Sequence, residues 1–540
     1  MAVLADAPAL PDATQPELLA HARRLDWRFL LGSHRLGRVA YLGKVDTPLL
    51  EALEAFADEV ARPAAGASGS YDLVVLRNPD GALLDGAHRL VRPGGSIYLE
   101  LDRSVLWGLA RLWRPRRIRR ILSGLGFEAI QLNWHQPDFR RCVQIFPLGA
   151  PDIVRRALGE RTLKTTLRAR AWRDRLLLRL GLLPALARSV SIVATRTGAP
   201  GARTDAIEDM VARLVQPEEL RRRRLADGAH TLLITPRFRT SRHVVALLFP
   251  EGESTPTLVA KVPRLVADNG GVANEALILA EFDARGAPEI GVPRVAAFGD
   301  VGDRAVLVQT PVIGSPMTPA LIRTDPRRHV EAMLSWLGEV ERATGAGDGF
   351  AAWQTLIALP LEAFAASSPR DGEERRLVAR TLELTAPIAE GGLRVGIQHG
   401  DLSHPNLMAL DGGGVGVVDW ELAELHGLPL QDAAYFLAYA AFSLARARGV
   451  AEELAAFDEA FVAPRGWAAR DLGAFARRTG IPTRLVTPLF VAGWARSAAR
   501  TRDRLEPGSA GDPSAWLRES RYYVLWRHAL EHASQLQWEA

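Results

Sequence analysis

The chain has a single cysteine, Cys142, among its 540 residues. One cysteine excludes an internal disulfide framework and suits a reducing compartment, so we expect a cytoplasmic protein. The sequence also lacks a long apolar run without charges, because its most hydrophobic window, residues 176–193, contains Arg179, Pro184 and Arg188. A spanning helix would place these side chains in lipid, so we expect no transmembrane segment. The start of the chain carries acidic residues where a secretory signal has a basic leader, so we expect no such signal.

Lysine is scarce, since only Lys44, Lys164 and Lys261 stand among 67 basic residues. The length exceeds what one core supports, and 48% apolar with 24% charged residues is ordinary for a globular protein. Charge is uneven: residues 1–200 hold 30 Lys and Arg against 19 Asp and Glu, and the remainder holds 37 against 43. We therefore expect at least two domains with different surfaces.

Predicted strands alternate with predicted helices along the first 197 residues. Strands are expected at residues 38–44, 71–76, 96–101, 127–134, 141–148 and 189–196, the last of which could close the sheet. Helices are expected over residues 47–61 and 81–91, and "RPGG" at 92–95 reads as a turn. This alternation is typical of a doubly wound α/β domain.

The "TGAPGAR" segment at residues 197–203 is the best linker candidate, because Gly and Pro interrupt two periodic stretches. Beyond it the pattern becomes strand-rich from about residue 229 and mostly helical from about 325, which is the order of a two-lobed α+β kinase. We predict four parts: an α/β domain at 1–197, a linker and helix at 198–227, an N-lobe at 228–315 and a C-lobe at 316–540.

One stretch, "IQHGDLSHPNLMALDGGGVGVVDWE", crowds acids around one of only five asparagines in the chain. Asp401 and Asn406 are five residues apart, and Asp419 follows thirteen residues later. Phosphoryl transfer needs a carboxylate that orients and deprotonates a hydroxyl, and oxygen ligands for Mg²⁺. "NLMAL" and "VGVVDW" read as two strands joined by "DGGG", a hairpin that would bring Asp419 beside Asn406.

These motifs resemble the aminoglycoside phosphotransferase and choline kinase superfamily, which is related to the protein kinases. The resemblance implies that Asp401 is the catalytic base, with His399 supporting its loop, and that Asn406 and Asp419 hold Mg²⁺. Asp432 resembles the acid that begins the family's next helix and braces the catalytic loop, a structural role. The resemblance covers roughly residues 228–440, and the implied nucleotide is ATP.

The nucleotide side of the predicted site begins at Lys261, in the predicted strand "LVAKVPR", where an ammonium group could hold the α and β phosphates. Glu275, fourteen residues later, resembles the family's helix glutamate. Ser241 lies at the predicted phosphate-facing turn, which lacks the glycines of a protein kinase loop. Backbone groups around Gln309 and Pro311 fit the connector that would bind adenine.

Residues 71–134 resemble the second half of a class I S-adenosylmethionine-dependent methyltransferase. The first loop, however, has only one glycine, Gly43, and the 27 residues before Tyr71 leave room for one helix but not for two further strands. We therefore expect a degenerate domain that does not bind S-adenosylmethionine. An active methyltransferase and an unrelated α/β domain remain as alternatives.

The basic segment at 107–122 combines two tryptophans with an arginine run. A solvated helix face is its ordinary explanation, contact with an anionic membrane is an alternative, and we expect no nucleic acid partner because no binding motif accompanies the charge. The helical tail offers aromatic residues, including Trp494 and Tyr522, that could stack on an acceptor. We expect no His or Cys cluster at zinc spacing.

The sequence thus predicts an ATP- and Mg²⁺-dependent phosphotransferase acting on a hydroxyl of a small molecule. The acceptor stays open between an aminoglycoside, a sugar, an amino alcohol and a natural-product or envelope intermediate. Two alternatives remain: a nucleotide-binding pseudokinase scaffold, and a bifunctional kinase and methyltransferase. The sequence leaves the oligomeric state open.

Overall fold

The computed structural model describes most of the chain. The described residues are 15–31, 35–64, 68–79, 81–102, 115–160, 165–198, 206–236, 241–266, 268–285, 291–345, 353–366, 372–390, 393–503 and 518–538. They form two compact units: the first comprises residues up to 272 together with 296–311, and the second comprises 273–295 together with the residues from 312 onward.

Twelve described strands form one mixed sheet in the first unit. They are β1 (Arg38–Gly43), β2 (Glu59–Ala61), β3 (Tyr71–Arg77), β4 (Val91–Asp102), β5 (Phe127–Gln136), β6 (Gln144–Pro147), β7 (Ser189–Arg196), β8 (Ala229–Ile234), β9 (His243–Pro250), β10 (Leu258–Pro263), β11 (Val295–Val301) and β12 (Arg304–Gln309). Their order across the sheet is β11-β12-β10-β9-β8-β6-β5-β7-β4-β3-β1-β2.

The helices of this unit connect the strands. They are α1 (Gln15–Arg24), α2 (Thr47–Phe56), α3 (Gly81–Leu90), α4 (Pro115–Gly124), α5 (Pro151–Glu160), α6 (Thr165–Arg179), α7 (Leu183–Leu186), α8 (Ile207–Leu214) and α9 (Pro217–Arg222), with a 3₁₀ turn at Asp26–Leu30. α2 begins where the Asp46 carboxylate accepts a hydrogen bond from the Leu49 amide at 3.2 Å. It ends at Phe56, short of the predicted helix, and β2 follows.

Strands β1 to β4 are mutually parallel where they pair, and helices alternate with them, which is an α/β arrangement. Two predictions about this part were wrong. β4 starts at Val91 and includes the predicted turn at 92–95, with a shift of register near Tyr71. β7 does not lie at an edge: it pairs antiparallel with both β4 and β5. The likeness to a methyltransferase stays a prediction.

The sheet continues past residues 198–227, because β6 pairs with β8 through Gln144 with Ile234 and Ile145 with Leu233. Side chains alternate between its faces, as the twofold period of a strand requires. Tyr41 of β1 packs in the core that covers one face, whereas its neighbour Ala40 packs in the core on the other face. Both faces of the sheet are therefore buried at β1.

The helix α10 (Gly270–Ala284) carries the chain from the first unit into the second. The second unit is mainly helical, with α11 (Pro319–Ile322), α12 (Pro326–Thr344), α13 (Leu359–Ala366), α14 (Glu373–Thr385), α15 (Gln431–Ala445), α16 (Val450–Phe457), α17 (Trp467–Arg478), α18 (Thr483–Asp503) and α19 (Arg521–Glu531). Its strands are β13 (Ser315–Pro316), β14 (Gly396–Gln398), β15 (Leu407–Ala409), β16 (Val415–Val417) and β17 (Glu424–Gly427).

Two small sheets in this unit hold the stretch that the sequence singled out. β15 pairs antiparallel with β16, with Leu407 opposite Val417, so the predicted hairpin is present. β14 pairs antiparallel with β17. No helix in the described part of the chain combines the length and apolar character needed to cross a membrane. Of the basic segment 107–122, residues 107–114 lie outside the described residues and the remainder belongs to α4.

Candidate active site

The loop that follows β14 is held by a carboxylate at the start of α15. Asp432 is buried, and its two oxygens accept hydrogen bonds from the backbone amides of His399, at 2.6 Å, and Gly400, at 2.9 Å. Gly400 has φ of +83°, a conformation that favours glycine. These are the contacts that the predicted bracing role of Asp432 requires.

His399 is 1% exposed and joins the loop to the end of β16. Its Nδ1 accepts from the Asp401 amide at 3.2 Å, so its Nε2 carries the proton and donates to the Val418 carbonyl at 3.1 Å. Its ring meets the Trp420 indole edge to face, with centroids 4.7 Å apart. Both nitrogens of the ring are hydrogen-bonded inside the fold, as the predicted role of His399 in supporting the loop requires.

Three side chains surround the Asp401 carboxylate. Oδ1 accepts from the Ser403 hydroxyl at 3.0 Å and from the Tyr435 phenol at 3.1 Å. Oδ2 accepts from the amide nitrogen of Asn406 at 3.2 Å. The carboxylate is therefore oriented from several sides and still has lone pairs that could accept a further hydrogen bond.

Asn406 and Asp419 come together through the hairpin. The Asn406 carbonyl accepts from the Val418 amide at 2.9 Å, which places the next residue, Asp419, beside the start of β15. Asp419 has φ of 74°, a left-handed conformation that Asp tolerates better than most residues. Because the Asn406 amide nitrogen is used on Asp401, its amide oxygen faces the other way. An amide oxygen and a carboxylate are ligands that suit Mg²⁺.

Trp420 anchors this strand end in the core of the second unit. The indole is 1% exposed, packs edge to face on Phe282 at 4.9 Å between centroids, and lies 6.2 Å from Trp336. Its Nε1 donates to the Val417 carbonyl at 3.1 Å. The aromatic residue after Asp419 thus fixes the backbone of its neighbour.

A second tyrosine extends the hydrogen bonds of Asp401 outward. The phenols of Tyr435 and Tyr522 lie 2.8 Å apart with their rings stacked, although the two residues are 87 positions apart in sequence. Burial raises the pKa of the Tyr435 phenol well above its ordinary value, so this group stays protonated and can donate to Asp401. Both tyrosines line a cavity of about 280 Å³ that also touches Gly400.

Two arginines on α18 shape the charge of this cavity. Arg496 donates to both oxygens of Glu424 at 2.7 and 3.0 Å, and Arg500 pairs with the same carboxylate. Burial alone would raise the pKa of Glu424, but the two guanidinium groups lower it below its ordinary value. Glu424 and Arg500 both line the cavity, and Glu421 adds a second carboxylate to its lining.

Two of the predicted nucleotide-binding residues, Lys261 and Glu275, are buried. Lys261 is 3% exposed in β10, with Val245 and Leu307 as its cross-strand neighbours. Glu275 is fully buried on α10. The next-door Asn274 donates to the carbonyls of Glu421, at 3.1 Å, and Ala423, at 2.9 Å.

The predicted adenine and phosphate-turn residues all lie in the first unit. Gln309 ends β12 at 2% exposure, and its buried Oε1 has no hydrogen-bond partner among the described residues. Pro311 follows two positions later. Ser241 is buried before β9, and its hydroxyl accepts from Arg264 at 3.1 Å. Thr240, its neighbour in the predicted turn, lies outside the described residues.

Sequence reasoning missed several of these groups because they are distant along the chain. Tyr435 and Arg500 sit in helices whose apolar patterns hide them. The expectation of no metal-spaced histidine cluster was also wrong, since His528, Glu531 and His532 bring ligand atoms within 4.8 Å of one another. His528 is there hydrogen-bonded to Asp458 at 2.8 Å.

A carboxylate beside an amide, with a second carboxylate delivered by a hairpin, is an arrangement that phosphoryl transfer could use. Residues 243–473 match the phosphotransferase enzyme family, APH. The match confirms the predicted class, a small-molecule kinase, and the resemblance on which it was based. The methyltransferase-like resemblance has no such match.

Solved structures of the same class show distant likeness. A thermostable mutant of aminoglycoside phosphotransferase APH(4)-Ia, in ternary complex with AMP-PNP and hygromycin B, shares 15% identity over 56% of this chain and 94% of its own, with a TM-score of 0.39. Choline kinase LicA from Streptococcus pneumoniae shares 11% identity over 59% of this chain and 98% of its own, with a TM-score of 0.36. No curated protein matches the chain.

Proposed function

We propose that the chain transfers the γ-phosphoryl group of ATP to a hydroxyl of a small molecule in a reaction that requires Mg²⁺. The observation that carries the proposal is the Asn406 amide, which donates to the Asp401 carboxylate while its backbone pairs with the strand that delivers Asp419. The proposal assigns the hydroxyl-orienting base and the two oxygen ligands to this one loop and hairpin.

In this mechanism Asp401 accepts a hydrogen bond from the acceptor hydroxyl and takes its proton as the new bond to phosphorus forms. Asn406 and Asp419 would hold Mg²⁺, which neutralises charge on the transferring phosphoryl oxygens. The hydrogen bonds of His399 and Asp432 fix the conformation of the loop before the substrate binds. Catalysis of this kind depends mostly on positioning and preorganised charge.

For the nucleotide, the proposal assigns the phosphates to Lys261, oriented by Glu275, and the adenine to the segment at Gln309 and Pro311. The adenine contacts assigned there are those of backbone groups, because the Gln309 side chain is only 2% exposed. The proposal gives Ser241 an indirect role in the nucleotide site, because its hydroxyl lies inside the fold and accepts a hydrogen bond from Arg264.

For the acceptor, the proposal assigns the cavity beside Gly400. Its volume of about 280 Å³ approaches the lower end of the usual range for small-molecule sites. Tyr435 and Tyr522 supply aromatic faces and hydroxyls, and Glu424 with Arg500 supplies both charges. This lining suits a polar, hydroxylated acceptor, and the class ranges from an aminoglycoside or sugar to an amino alcohol.

We further propose that the N-terminal strands serve structure and not methyl transfer. A cofactor would bind at the carboxyl ends of β1, β3 and β4. There Arg77 forms an ion pair with Asp46 and lies 3.9 Å from Glu100, both of which are buried. A Cβ at Gly43 would lie 2.4 Å from the Arg77 carbonyl, so the backbones are in close contact. Calorimetry of the full chain with S-adenosylmethionine tests this, and tight binding would favour the bifunctional alternative.

The first experiment is a thermal shift titration with ATP, with and without Mg²⁺. Wild type, Asp419→Ala and Asp411→Ala are compared. Asp411 is exposed in the turn of the same hairpin and is the matched control. We expect stabilisation that needs Mg²⁺ in wild type and Asp411→Ala and that is lost in Asp419→Ala, because only Asp419 is assigned to the ion.

Release of ADP is then followed with a panel of hydroxylated acceptors. Turnover with one acceptor and none in Asp401→Asn would support the kinase. Mg²⁺-dependent binding without turnover on any acceptor would favour the pseudokinase scaffold. No shift at millimolar ATP in any of the three proteins contradicts the proposed function.

A further inference from the structure

A buried arginine, Arg264, lies three residues after Lys261 and forms hydrogen bonds to segments next to the ends of neighbouring strands. Arg264 is fully buried, and its backbone amide donates to the Arg242 carbonyl at 2.8 Å. Its Nη1 donates to the carbonyl and the hydroxyl of Ser241, at 3.0 and 3.1 Å, and its Nη2 donates to the Pro236 carbonyl at 3.1 Å. One guanidinium thus joins β10 to the segments that end β8 and begin β9.

The Arg264 guanidinium forms an ion pair with a carboxylate near the start of the chain. Asp26, 238 residues away, accepts from Nε at 2.9 Å and from Nη2 at 3.0 Å. Together with the bonds to Ser241 and Pro236, these contacts use all five N–H donors that a guanidinium has. Both side chains are nearly inaccessible, at 0% and 4% exposure. A planar fork against a carboxylate fixes direction as well as distance.

The segment that supplies Asp26 is itself attached elsewhere in the first unit. Trp27 stacks on Tyr98 of β4 with centroids 3.6 Å apart. Arg24 forms a buried ion pair with Glu100 of β4 at 2.8 Å. Arg28, fully buried, donates to the Arg264 carbonyl. Residues 24–28 therefore connect the parallel part of the sheet to the strand that carries Lys261.

We propose that Asp26 is a positioning residue for the nucleotide: through Arg264 it sets the place of the Lys261 strand and of the strand ends at Pro236 and Ser241. The proposal rests on the proposed function only for the role of Lys261 toward phosphate. It also assigns a role to the N-terminal strands, because they hold residues 24–28, the segment that completes the contacts of Arg264.

The test compares two buried ion pairs that start from the same segment. Asp26→Asn keeps the shape of the side chain and removes the charge opposite Arg264. Arg24→Met removes the other pair, whose partner Glu100 retains the Tyr98 hydroxyl at 3.1 Å. The affinity for Mg²⁺-ATP is measured by calorimetry, and hydrogen exchange of residues 241–264 is measured without nucleotide.

For Asp26→Asn we expect the dissociation constant of Mg²⁺-ATP to rise about tenfold and exchange in residues 241–264 to accelerate at least tenfold. Arg24→Met should lower the thermal midpoint while leaving both readouts within about twofold. Equal changes in the two variants would show a general loss of stability and overturn the proposal, as would unchanged exchange in Asp26→Asn. Hydrogen exchange needs no nucleotide, so it decides the proposal even if wild type binds no ATP.

A second variant covers the case in which Asp26→Asn does not fold because a buried cation lacks its partner. The double substitution Asp26→Leu with Arg264→Met removes both charges and keeps apolar volume, a change that buried ion pairs often tolerate. We expect this protein to fold and still to show the tenfold weaker ATP binding and the faster exchange, because the bonds to Pro236 and Ser241 are gone. Wild-type values for a folded double variant would overturn the proposal.

Discussion

Glu341 on α12 should make the folded protein lose stability as pH rises toward neutrality. The side chain is largely buried and lines the same small pocket as Asp432. Burial raises its pKa from 4.5 to about 7, the charge of Asp432 acts in the same direction, and Thr479 and Arg394 oppose it. The folded state therefore keeps this proton up to about pH 7, whereas the unfolded chain releases it near 4.5.

The sign and size of this change in stability follow from the linkage between proton binding and folding. A raised pKa in the folded state contributes stability that is fully present below the unfolded value and is lost as pH rises through the folded value. A shift from 4.5 to about 7 corresponds to about 3 kcal/mol at most, since each pKa unit is worth about 1.4 kcal/mol and solvent reaches part of the group.

The assay is urea unfolding of wild type and Glu341→Gln at pH 5, 6, 7 and 8, with the difference in unfolding free energy as the readout. Taking the difference cancels the titration of the other groups. Glutamine keeps the shape of the side chain without its charge. The unfolding free energy of the variant relative to wild type should therefore rise from pH 5 to 8, by up to about 3 kcal/mol. Glu339→Gln, exposed on the same helix, is the control substitution. A flat difference for Glu341→Gln would refute the reasoning.

Three further substitutions test the site directly. Asp401→Asn should lower kcat by about three orders of magnitude or more while keeping Mg²⁺-ATP affinity within about threefold, measured by single-acceptor kinetics and calorimetry; near-normal turnover would remove Asp401 as the base. Tyr435→Phe should lower kcat about tenfold, because one donor to Asp401 is lost; an unaltered kcat would make this bond dispensable. Gly427→Ala should destabilise by about 2 kcal/mol in urea, because its Cβ would lie 2.1 Å from that of Gln398; an unshifted midpoint would contradict this packing.

The parts of the site that the sequence predicts are those made by local chemistry. Asp401 and Asn406 share one loop, and the hairpin that returns Asp419 needs only the glycines of its turn and two short apolar strands. Such features depend on neighbouring residues, so composition and spacing suffice to find them. The strand order of the large sheet is different, because β7 inserts between β4 and β5 and no turn signal encodes that placement.

The groups that escape sequence reasoning are those whose partners arrive from far along the chain. Tyr522 reaches Tyr435 over 87 positions, and Asp26 reaches Arg264 over 238. A buried arginine or a helical tyrosine has the same local pattern whether it packs inertly or completes a site, so only the folded partner separates the two cases. The fused N-terminal strands illustrate the point. Read as a sequence, they resemble a separate enzyme that has lost its cofactor loop. In the folded chain, β6 pairs with β8 and Asp26 pairs with Arg264, so these strands share one sheet with the strand that carries Lys261 and are joined to its end by a buried ion pair.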